Sequence, residues 1–443
     1  MSIPWGCLVA RAEMPNPATC TKSDFVFSVY LAVVIFVLTQ GPVYRLAFSD
    51  LQGSLKPDAL TVAFSVFVMA QMPAILLFYR STPLSNLLPD RDAWWLIAVV
   101  SIAALSTAWS TARGATVTAS AAFAVTVFAA IAIAVRATAR QLMWSVLCGV
   151  QPGLVISLFA VRRHWSGALE PKSSLEPWIT TNNWVGIYGN RNSLAPVAAV
   201  GVLTCVFASW ELIRNRKPLA IVGSIAVISV GFLDCLILIR SGSATLVFSM
   251  LIAAIAFCLS AVCHRVVRFR QSRSGMALRS ILFLGVGTLV GSYALRLASI
   301  KYDRLSGFDG RTTFWGASFD AWRTRPVFGW GFMALWNTDS FRRTLPTSIS
   351  DATWGHSSYL DFLAGGGLLL AVPVGAIMGV LLWRVFAIHI HEVHDIWMAI
   401  VAVTIIVAAT QESFLLGSHF FLLLLVVTGM KLRPPSRLSR KKS

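Results

Sequence analysis

The residue types best suited to chemistry gather in one long stretch, residues 298–358. His356 is the only histidine of this stretch and lies in the run G-H-S-S-Y-L at 355–360. A neutral imidazole can take a proton from a hydroxyl near neutral pH, so His356 is a candidate general base. Arg311 follows a D-G pair, and its planar guanidinium stays charged and can hold phosphate oxygens bidentately. Together they suit proton removal from a hydroxyl beside an anionic group.

The same stretch interleaves cations and tryptophans. Its basic residues are Lys301, Arg304, Arg311, Arg323, Arg325, Arg342 and Arg343, and its tryptophans are Trp315, Trp322, Trp330, Trp336 and Trp354. This mixture suits an anionic, partly apolar or sugar-bearing ligand. It also suits plain packing at the interfacial aromatic belt of a membrane. On composition alone both interpretations stay open.

The elements that must position these residues are those of a membrane protein. The 443 residues are 56% hydrophobic and 13% charged, with a mean hydropathy of +0.70, whereas about a quarter of the residues of soluble domains are charged. The formal net charge of +18 does not indicate nucleic acid, because the basic residues lie between apolar runs and report topology. We predict one all-α integral membrane domain over residues 25–430.

Apolar runs long enough to cross a bilayer recur about twelve times. A hydrocarbon core of about 30 Å needs about 20 apolar residues per helix. The predicted spans are 25–38, 59–79, 94–109, 116–135, 142–161, 194–212, 219–239, 244–262, 277–297, 359–382, 396–410 and 414–430. The stretch 298–358 then joins the ninth and tenth helices, and a loop of that length commonly carries function.

Positive charge determines the predicted orientation, because Lys and Arg are retained on the cytoplasmic side. They are frequent in the tail 431–443 and in the loops after the second, fourth, sixth and eighth spans, whereas the opposite short loops carry few. Both termini are therefore predicted to be cytoplasmic, and the connections 162–193 and 298–358 to be extracytoplasmic. Residues 1–24 lack the pattern of a signal peptide and are predicted to form a loose cytoplasmic segment.

The motifs of the long loop occur in a recognisable order. They are D-G-R at 309–311 followed by Trp315, R-P-V-F-G-W-G at 325–331, and G-H-S-S-Y-L running into G-G-G at 365–367. Two upstream runs accompany them, G-N-R-N-S-L-A at 189–195 and I-R-S-G-S-A at 239–244. Together these motifs resemble the O-antigen ligase and polymerase family of bacterial envelopes, over about residues 189–370.

The resemblance implies a multi-pass protein of the bacterial inner membrane, similar to C-type glycosyltransferases. Such a protein would transfer or polymerise an oligosaccharide from a polyprenyl-pyrophosphate donor onto a hydroxyl of a glycan, glycolipid or protein acceptor. The reaction would occur at the extracytoplasmic face without a metal or another cofactor. Apart from membrane lipids no further partner is implied, and no nucleic acid is expected.

The predicted site residues follow from the matching motifs and from the charge of the long loop. The predicted catalytic residues are His356 as the general base and Arg311 and Arg240 on the pyrophosphate; the predicted substrate contacts are Arg191, Arg304, Arg325 and Trp330. A pyrophosphate gains negative charge as its glycosidic bond breaks, so fixed cations in a poorly hydrated site lower the barrier. No carboxylate is evident nearby as a covalent nucleophile, so direct displacement with inversion is predicted.

A lipid-linked-glycan flippase or a secondary transporter is the alternative function, because about twelve helices is a common transporter count. This alternative would be supported by two halves of the chain with similar sequences and by charged residues at the bilayer midplane. Asp234 is an acid inside the seventh predicted span, with Glu412 at an outer end, and Asp234 could pair with a basic residue of another helix. Within the preferred function, ligase and polymerase stay open, because both break the same bond and differ in the acceptor.

Two further patterns receive no chemical role. The run H-I-H-E-V-H-D at 389–395 has histidine spacings that could hold a metal ion. On a helix its first two histidines point to different faces, so a solvated connector is predicted instead. The seven cysteines lie in or beside spans or in the N-terminal segment, and no disulfide framework is predicted.

Overall fold

A computed structural model describes residues 22–43, 65–76, 91–170, 182–266, 311–346, 354–387, 392–416 and 419–432. Its helices are α1 (Lys22–Leu38), α2 (Ser65–Leu76), α3 (Arg91–Leu105), α4 (Arg113–Arg136), α5 (Ala139–Arg162), α6 (Arg191–Arg214), α7 (Pro218–Ser241), α8 (Ala244–Val266), α9 (Arg311–Thr324), α10 (Asp339–Arg342), α11 (Ser358–Ala387), α12 (Val393–Ala408) and α13 (Phe420–Lys431). Short 3₁₀ turns lie at Ser106–Ala108 and Leu335–Asn337, and the strands β1 (Leu169–Glu170) and β2 (Asn183–Trp184) pair antiparallel.

Apolar helices of membrane length dominate this part of the chain. Among the described residues, five helices are long and apolar enough to cross a membrane, namely α4, α5, α6, α7 and α11; shorter apolar stretches are α1, α2, α3, α12, α13 and the segment Thr245–Ala256 of α8. The predicted class, an all-α membrane protein, agrees with this architecture. The predicted span 277–297 and the start of the long loop lie outside the described residues, so the count of twelve stays a prediction.

Local signals explain where several of these helices begin and end. Thr138 and Gln141 form a capping box at the start of α5, in which each side chain accepts the backbone N–H of the other residue. Helix α7 starts with Pro218 and ends at Gly242, which has a φ of 71°. The observed ends therefore fall within a few residues of the predicted spans 142–161 and 219–239.

The chain forms two compact units. The first unit comprises residues 1–71, 135–247 and 390–398, and the second comprises residues 72–134, 248–389 and 399–443. Within the first unit α5 packs against α1 and α6, and α7 packs against α6 and β2. Within the second unit α3 and α9 both pack against α11.

The interior of the first unit holds the carboxyl group of Asp234. Gln151 donates a hydrogen bond from Nε2 to Oδ2 of Asp234 at 2.6 Å, and the Cys205 thiol donates to the same oxygen at 3.7 Å. The absence of a side chain at Gly201 allows this placement, because a Cβ there would lie 2.5 Å from Oδ2. The hydrogen-bond partners of Asp234 in the described structure are neutral, and the possible pairing with a basic residue is not seen among them.

A second polar group of the first unit lies in the first turn of α12. His394 is buried, with Nε2 3.1 Å from Oε2 of Glu211. The other carboxylate oxygen of Glu211 lies 2.6 Å from Nε of Arg140. The expectation of a solvated connector was therefore wrong at His394, since this residue is buried and contacts the Glu211 carboxylate, which in turn pairs with Arg140. His389 and His391 lie outside the described residues.

In the second unit, helix α11 is broken near its start. Gly367 has φ 60° and ψ −159°, a backbone conformation that essentially only glycine adopts. The R-P-V-F-G-W-G turn docks into this break, where Gly331 donates its N–H to the carbonyl of Gly365 at 2.7 Å. A Cβ on Gly367 would lie 2.3 Å from the carbonyl oxygen of Val327. Two motifs far apart in the sequence thus form one interlocked structure.

Candidate functional site

His356 lies in the second unit, two residues before the start of α11. Its backbone has a φ of 52°, in the left-handed region, and its side chain is partly exposed. The imidazole packs edge-on against Phe314 of α9, with ring centroids 4.8 Å apart, and lies 6.2 Å from the ring of Trp354. Trp315 donates its indole N–H to the His356 carbonyl at 3.3 Å. Aromatic side chains thus hold the ring in one orientation.

The carboxylate of Glu412 joins His356 to Arg311. Glu412 lies in the connection between α12 and α13, and its Oε2 is 3.4 Å from Nδ1 of His356. Arg311, the first residue of α9, donates from Nη2 to Oε1 of Glu412 at 2.5 Å and from Nη1 to Oε1 of Gln411 at 3.0 Å. One buried acid therefore contacts a cation through one oxygen and an imidazole through the other.

Asp361, in the first turn of α11, ties together the two backbone segments that carry these side chains. Its buried carboxylate accepts the Gly355 N–H at 3.0 Å through Oδ1 and the Ser413 hydroxyl at 2.5 Å through Oδ2. Gly355 precedes His356 in the chain, and Ser413 follows Glu412. The position of the imidazole relative to Glu412 therefore depends on Asp361.

Ser358 adds a second tie at the start of α11. Its N–H donates to the carbonyl of Ala409 at 3.0 Å, and its hydroxyl donates to the carbonyl of Glu412 at 2.8 Å. The same hydroxyl accepts the N–H of Leu415 at 3.2 Å. Because these are all backbone groups of one connection, Ser358 holds the turn that presents the Glu412 carboxylate.

The turn at 325–331 holds two of the predicted substrate contacts. The Arg325 guanidinium stacks over the ring of Trp330, 4.4 Å from its centroid, and Trp330 donates its indole N–H to the Ala321 carbonyl at 2.9 Å. Arg325 is exposed, whereas Trp330 is partly buried. In this structure the two residues contact each other and α9, and substrate contact by either residue stays a prediction.

The other predicted site residues lie elsewhere in the chain. Arg240, in the last turn of α7 in the first unit, lies 5.9 Å from the ring centroid of Trp184. Arg191 begins α6 in the same unit, with Nε 3.9 Å from Oε2 of Glu170. Arg304 lies outside the described residues. Of the predicted residues in the second unit, the structure brings Arg311 and His356 together on one acid.

Sequence reasoning gave no role to Glu412 or Asp361. The sequence revealed no carboxylate placed as a covalent nucleophile, and it gave no sign that Glu412 contacts both Arg311 and His356. The available signal was a weak one: Glu412 is an acid in a short connection on the predicted outer side that has no basic residue. Asp361 could have been noticed as an acid inside the apolar run that follows the G-H-S-S motif.

Part of the candidate site lies in a segment that is similar to a known protein family. Residues 228–375 match the model of the O-antigen ligase family, which confirms over this segment the resemblance expected from the motifs. The matched segment includes Arg240, Arg311, His356 and Asp361, whereas Arg191 and Glu412 lie outside it. No curated protein matches the chain.

Proposed function

We propose that this protein is a metal-independent membrane glycosyltransferase, because residues 228–375 match the O-antigen ligase family and the described helices are apolar and in part of membrane length. It transfers or polymerises an oligosaccharide from polyprenyl pyrophosphate onto a hydroxyl of a glycan, glycolipid or protein acceptor. The reaction takes place at the extracytoplasmic face of a bacterial inner membrane. The observation that carries the proposal is the contact of His356 and Arg311 with the single carboxylate of Glu412.

In this mechanism His356 is the general base and Glu412 orients it. The distance of 3.4 Å from Nδ1 to Oε2 of Glu412 suits a tautomer with the proton on Nδ1, which leaves the lone pair of Nε2 for the acceptor hydroxyl. As Nε2 takes the proton the ring becomes a cation, and the carboxylate beside it stabilises that charge. A histidine base that is oriented by a neighbouring carboxylate is a common arrangement in enzymes that activate a hydroxyl group.

Arg311 has two roles in the proposal. Its hydrogen bond to Oε1 of Glu412 fixes the carboxylate that orients the base. Its positive charge also lies in the same partly buried region, where it stabilises the negative charge that develops on the departing pyrophosphate. Arg240 and Arg191 of the first unit, with Arg304 and Arg325, remain predicted contacts of the pyrophosphate or the sugars.

The proposed displacement is direct and inverts the anomeric carbon. A covalent route would need a carboxylate free to attack that carbon. Glu412 is the carboxylate beside His356, and its two oxygens contact Arg311 and His356, which supports an orienting role over a nucleophilic one. Linkage analysis of the product tests this step, and retention of the anomeric configuration would contradict the proposal.

A transfer assay in detergent tests the proposal. Purified protein is incubated with a polyprenyl-pyrophosphate glycan and a glycolipid acceptor, and release of polyprenyl pyrophosphate is measured. His356→Asn should lower turnover by roughly 10²- to 10⁴-fold, the usual contribution of a general base. Asn is chosen because it tolerates the left-handed backbone at this position better than most residues do.

His164→Asn is the matched control for this assay. His164 is exposed and has the same φ of 52°, but it lies in the first unit, after α5. It should keep wild-type turnover. Release that does not depend on His356 would contradict the proposed base, and absence of release by the wild type would favour the flippase or transporter, which has no gradient to use in detergent.

A complementation experiment in cells distinguishes a ligase from a polymerase. A deletion strain is complemented with the wild type, Arg311→Ala or His356→Ala, and its glycans are separated by length. Single repeats on the anchor without long chains would identify a polymerase. Complete polymer stranded on its lipid carrier would identify a ligase.

A further inference from the structure

A cavity of about 470 Å³ lies inside the second unit, between α3, α4, α11 and α13. Its walls are mostly apolar side chains, among them Phe123, Leu381 and Leu425. The charged side chains among its described lining residues are Asp92 and Arg384. Binding pockets for small molecules span about 300–1,000 Å³, so the cavity is large enough to hold part of a ligand.

The two ends of the cavity differ in exposure. At one end Phe362 and Leu415 are 2% and 1% exposed, and they close the cavity beneath the segments that carry Asp361 and Glu412. At the other end Trp95 and Val380 are 51% and 45% exposed. Among the described residues, the exposed part of the lining lies on α3 and α11, away from His356, and we take this end as the mouth of the cavity.

The charged pair lies at the open end. Arg384 donates from Nη1 and Nη2 to the two carboxylate oxygens of Asp92 at 2.6 and 2.7 Å, and from Nη1 to the Gly429 carbonyl at 3.1 Å. Asp92 is in the first turn of α3, and Arg384 is in the last turn of α11. In helices that cross a bilayer, such terminal turns lie at the membrane surface.

We propose that this cavity binds one acyl chain of a bilayer phospholipid, with the headgroup of that lipid beside the Asp92–Arg384 pair. The polarity of the lining matches that of a phospholipid: the inside of the cavity is apolar like an acyl chain, and the mouth is polar like a headgroup. When an acyl chain fills an apolar cavity, the chain and the lining side chains gain dispersion contacts. Water is not stabilised in such a cavity, because it finds few hydrogen-bond partners there. The charges of Asp92 and Arg384 compensate each other, so the site accepts zwitterionic headgroups as well as anionic ones.

The same geometry disfavours the polyprenyl tail of the proposed donor as the occupant. At about 1.5 Å per residue, the length of α11 between Asp361 and Arg384 separates the mouth from His356 by on the order of 30 Å. A donor with its pyrophosphate at Arg311 would have to enter through the end that Phe362 and Leu415 close. The site is thus distinct from the proposed catalytic site.

Lipid counting by native mass spectrometry tests the inference. The protein is reconstituted into bilayers of phosphatidylethanolamine and phosphatidylglycerol doped with a polyprenyl phosphate, then extracted in a mild detergent. The wild type should retain one phospholipid per chain. Val380→Trp, which narrows the mouth, should reduce this retained fraction severalfold, and Ala376→Leu at the same mouth provides a smaller obstruction if the first variant is poorly folded.

Val222→Trp is the matched control, because Val222 is an exposed valine of α7 in the first unit. This variant should retain phospholipid as the wild type does. Equal retention by wild type and both mouth variants would overturn the inference. Retention of the polyprenyl phosphate in place of the phospholipid would overturn it as well. Neither result depends on whether the protein transfers glycans.

Discussion

Two buried carboxylates position the candidate site, and they do so in different ways. Glu412 contacts the functional groups of Arg311 and His356 directly. Asp361 contacts neither of these side chains and acts on their backbone neighbours through Gly355 and Ser413. The first is therefore expected to affect turnover, and the second mainly the stability of the site.

Replacing Glu412 by Gln removes the negative charge and preserves the shape of the side chain. Without that charge the imidazolium formed during proton transfer is no longer stabilised, and the tautomer with the proton on Nδ1 is no longer favoured. We expect kcat for polyprenyl pyrophosphate release to fall by roughly 10²-fold or more, with little change in KM. Circular dichroism at the assay temperature would show that the loss belongs to folded protein.

Glu392→Gln is the control for this prediction, because Glu392 is an exposed carboxylate before α12. It should leave kcat unchanged. A Glu412→Gln variant with wild-type turnover would show that the carboxylate has no part in the reaction. The proposed orientation of His356 would then be wrong.

Asp361→Asn probes the tie between the two segments. The partners of this carboxylate are all donors: the Gly355 N–H, the Ser413 hydroxyl and the indole N–H of Trp336, the last at 3.2 Å. An amide that keeps its oxygen toward the two N–H groups must place its NH₂ against Ser413, whose hydroxyl then accepts and loses Asp361 as the acceptor of its own proton; the opposite orientation places NH₂ against two N–H donors. We expect thermal unfolding in detergent to reveal a loss of about 1–3 kcal/mol.

The exposed Asp320 of α9 provides the comparison for Asp361. Asp320→Asn should leave the melting temperature unchanged within error, because its carboxylate is mostly in solvent. If Asp361→Asn had the same melting temperature as Asp320→Asn and the wild type, the hydrogen bonds of Asp361 would contribute nothing to stability.

The residues of the site were only partly predictable from the sequence. Arg311 and His356 lie within local motifs whose residue types suggest chemistry. Glu412 is separated from His356 by 56 positions and belongs to a different connection, so no local pattern links the two residues. The contact arises from the packing of α9 and α11 and from the ties of Ser358, which are tertiary features.

At the scale of helices, prediction succeeded where hydrophobic length decides the structure. The predicted spans 194–212 and 359–382 lie within α6 and α11, whose ends extend them by a few residues. Helix α9 was not predicted, because its polar and apolar residues are mixed in a loop and give no run of membrane length. Its position is set by contacts of Phe314 and Trp315 with the residues around His356.

The break in α11 is a second feature that the apolar run concealed. The triple glycine was evident in the sequence, but a glycine in an apolar run can also lie in a regular helix. Gly375, further along α11, would have no atom within 4 Å of an added Cβ. Only the docked turn distinguishes Gly367 from Gly375.

Alanine at these two glycines should have opposite effects. Gly367→Ala places a Cβ against the Val327 carbonyl at a positive φ, so it must displace the R-P-V-F-G-W-G turn and lower the melting temperature. Gly375→Ala should be neutral or stabilising by up to about 1 kcal/mol, because Ala favours a helix over Gly. Equal melting temperatures of the two variants would contradict the interlock of turn and helix.

At the scale of the whole chain, the distribution of charge decides which end of the membrane domain carries the chemistry. A net charge of +18 is concentrated in connections on one predicted side, such as Arg214, Arg216 and Lys217 between α6 and α7. Because Lys and Arg are retained on the cytoplasmic side, this distribution predicts that those connections lie in the cytoplasm. The proposed transfer requires His356 on the other side, where lipid-linked sugars are consumed.

Cysteine accessibility tests this orientation directly. In a background with the seven native cysteines replaced, Asp320→Cys lies on an exposed face of α9 and Lys217→Cys on the exposed turn before α7. A membrane-impermeant maleimide added to spheroplasts should label the cysteine at position 320 at once, and the one at position 217 only after permeabilisation. Labelling in the opposite order would place His356 and Glu412 in the cytoplasm and would exclude the proposed extracytoplasmic reaction, whatever the activity of the purified protein.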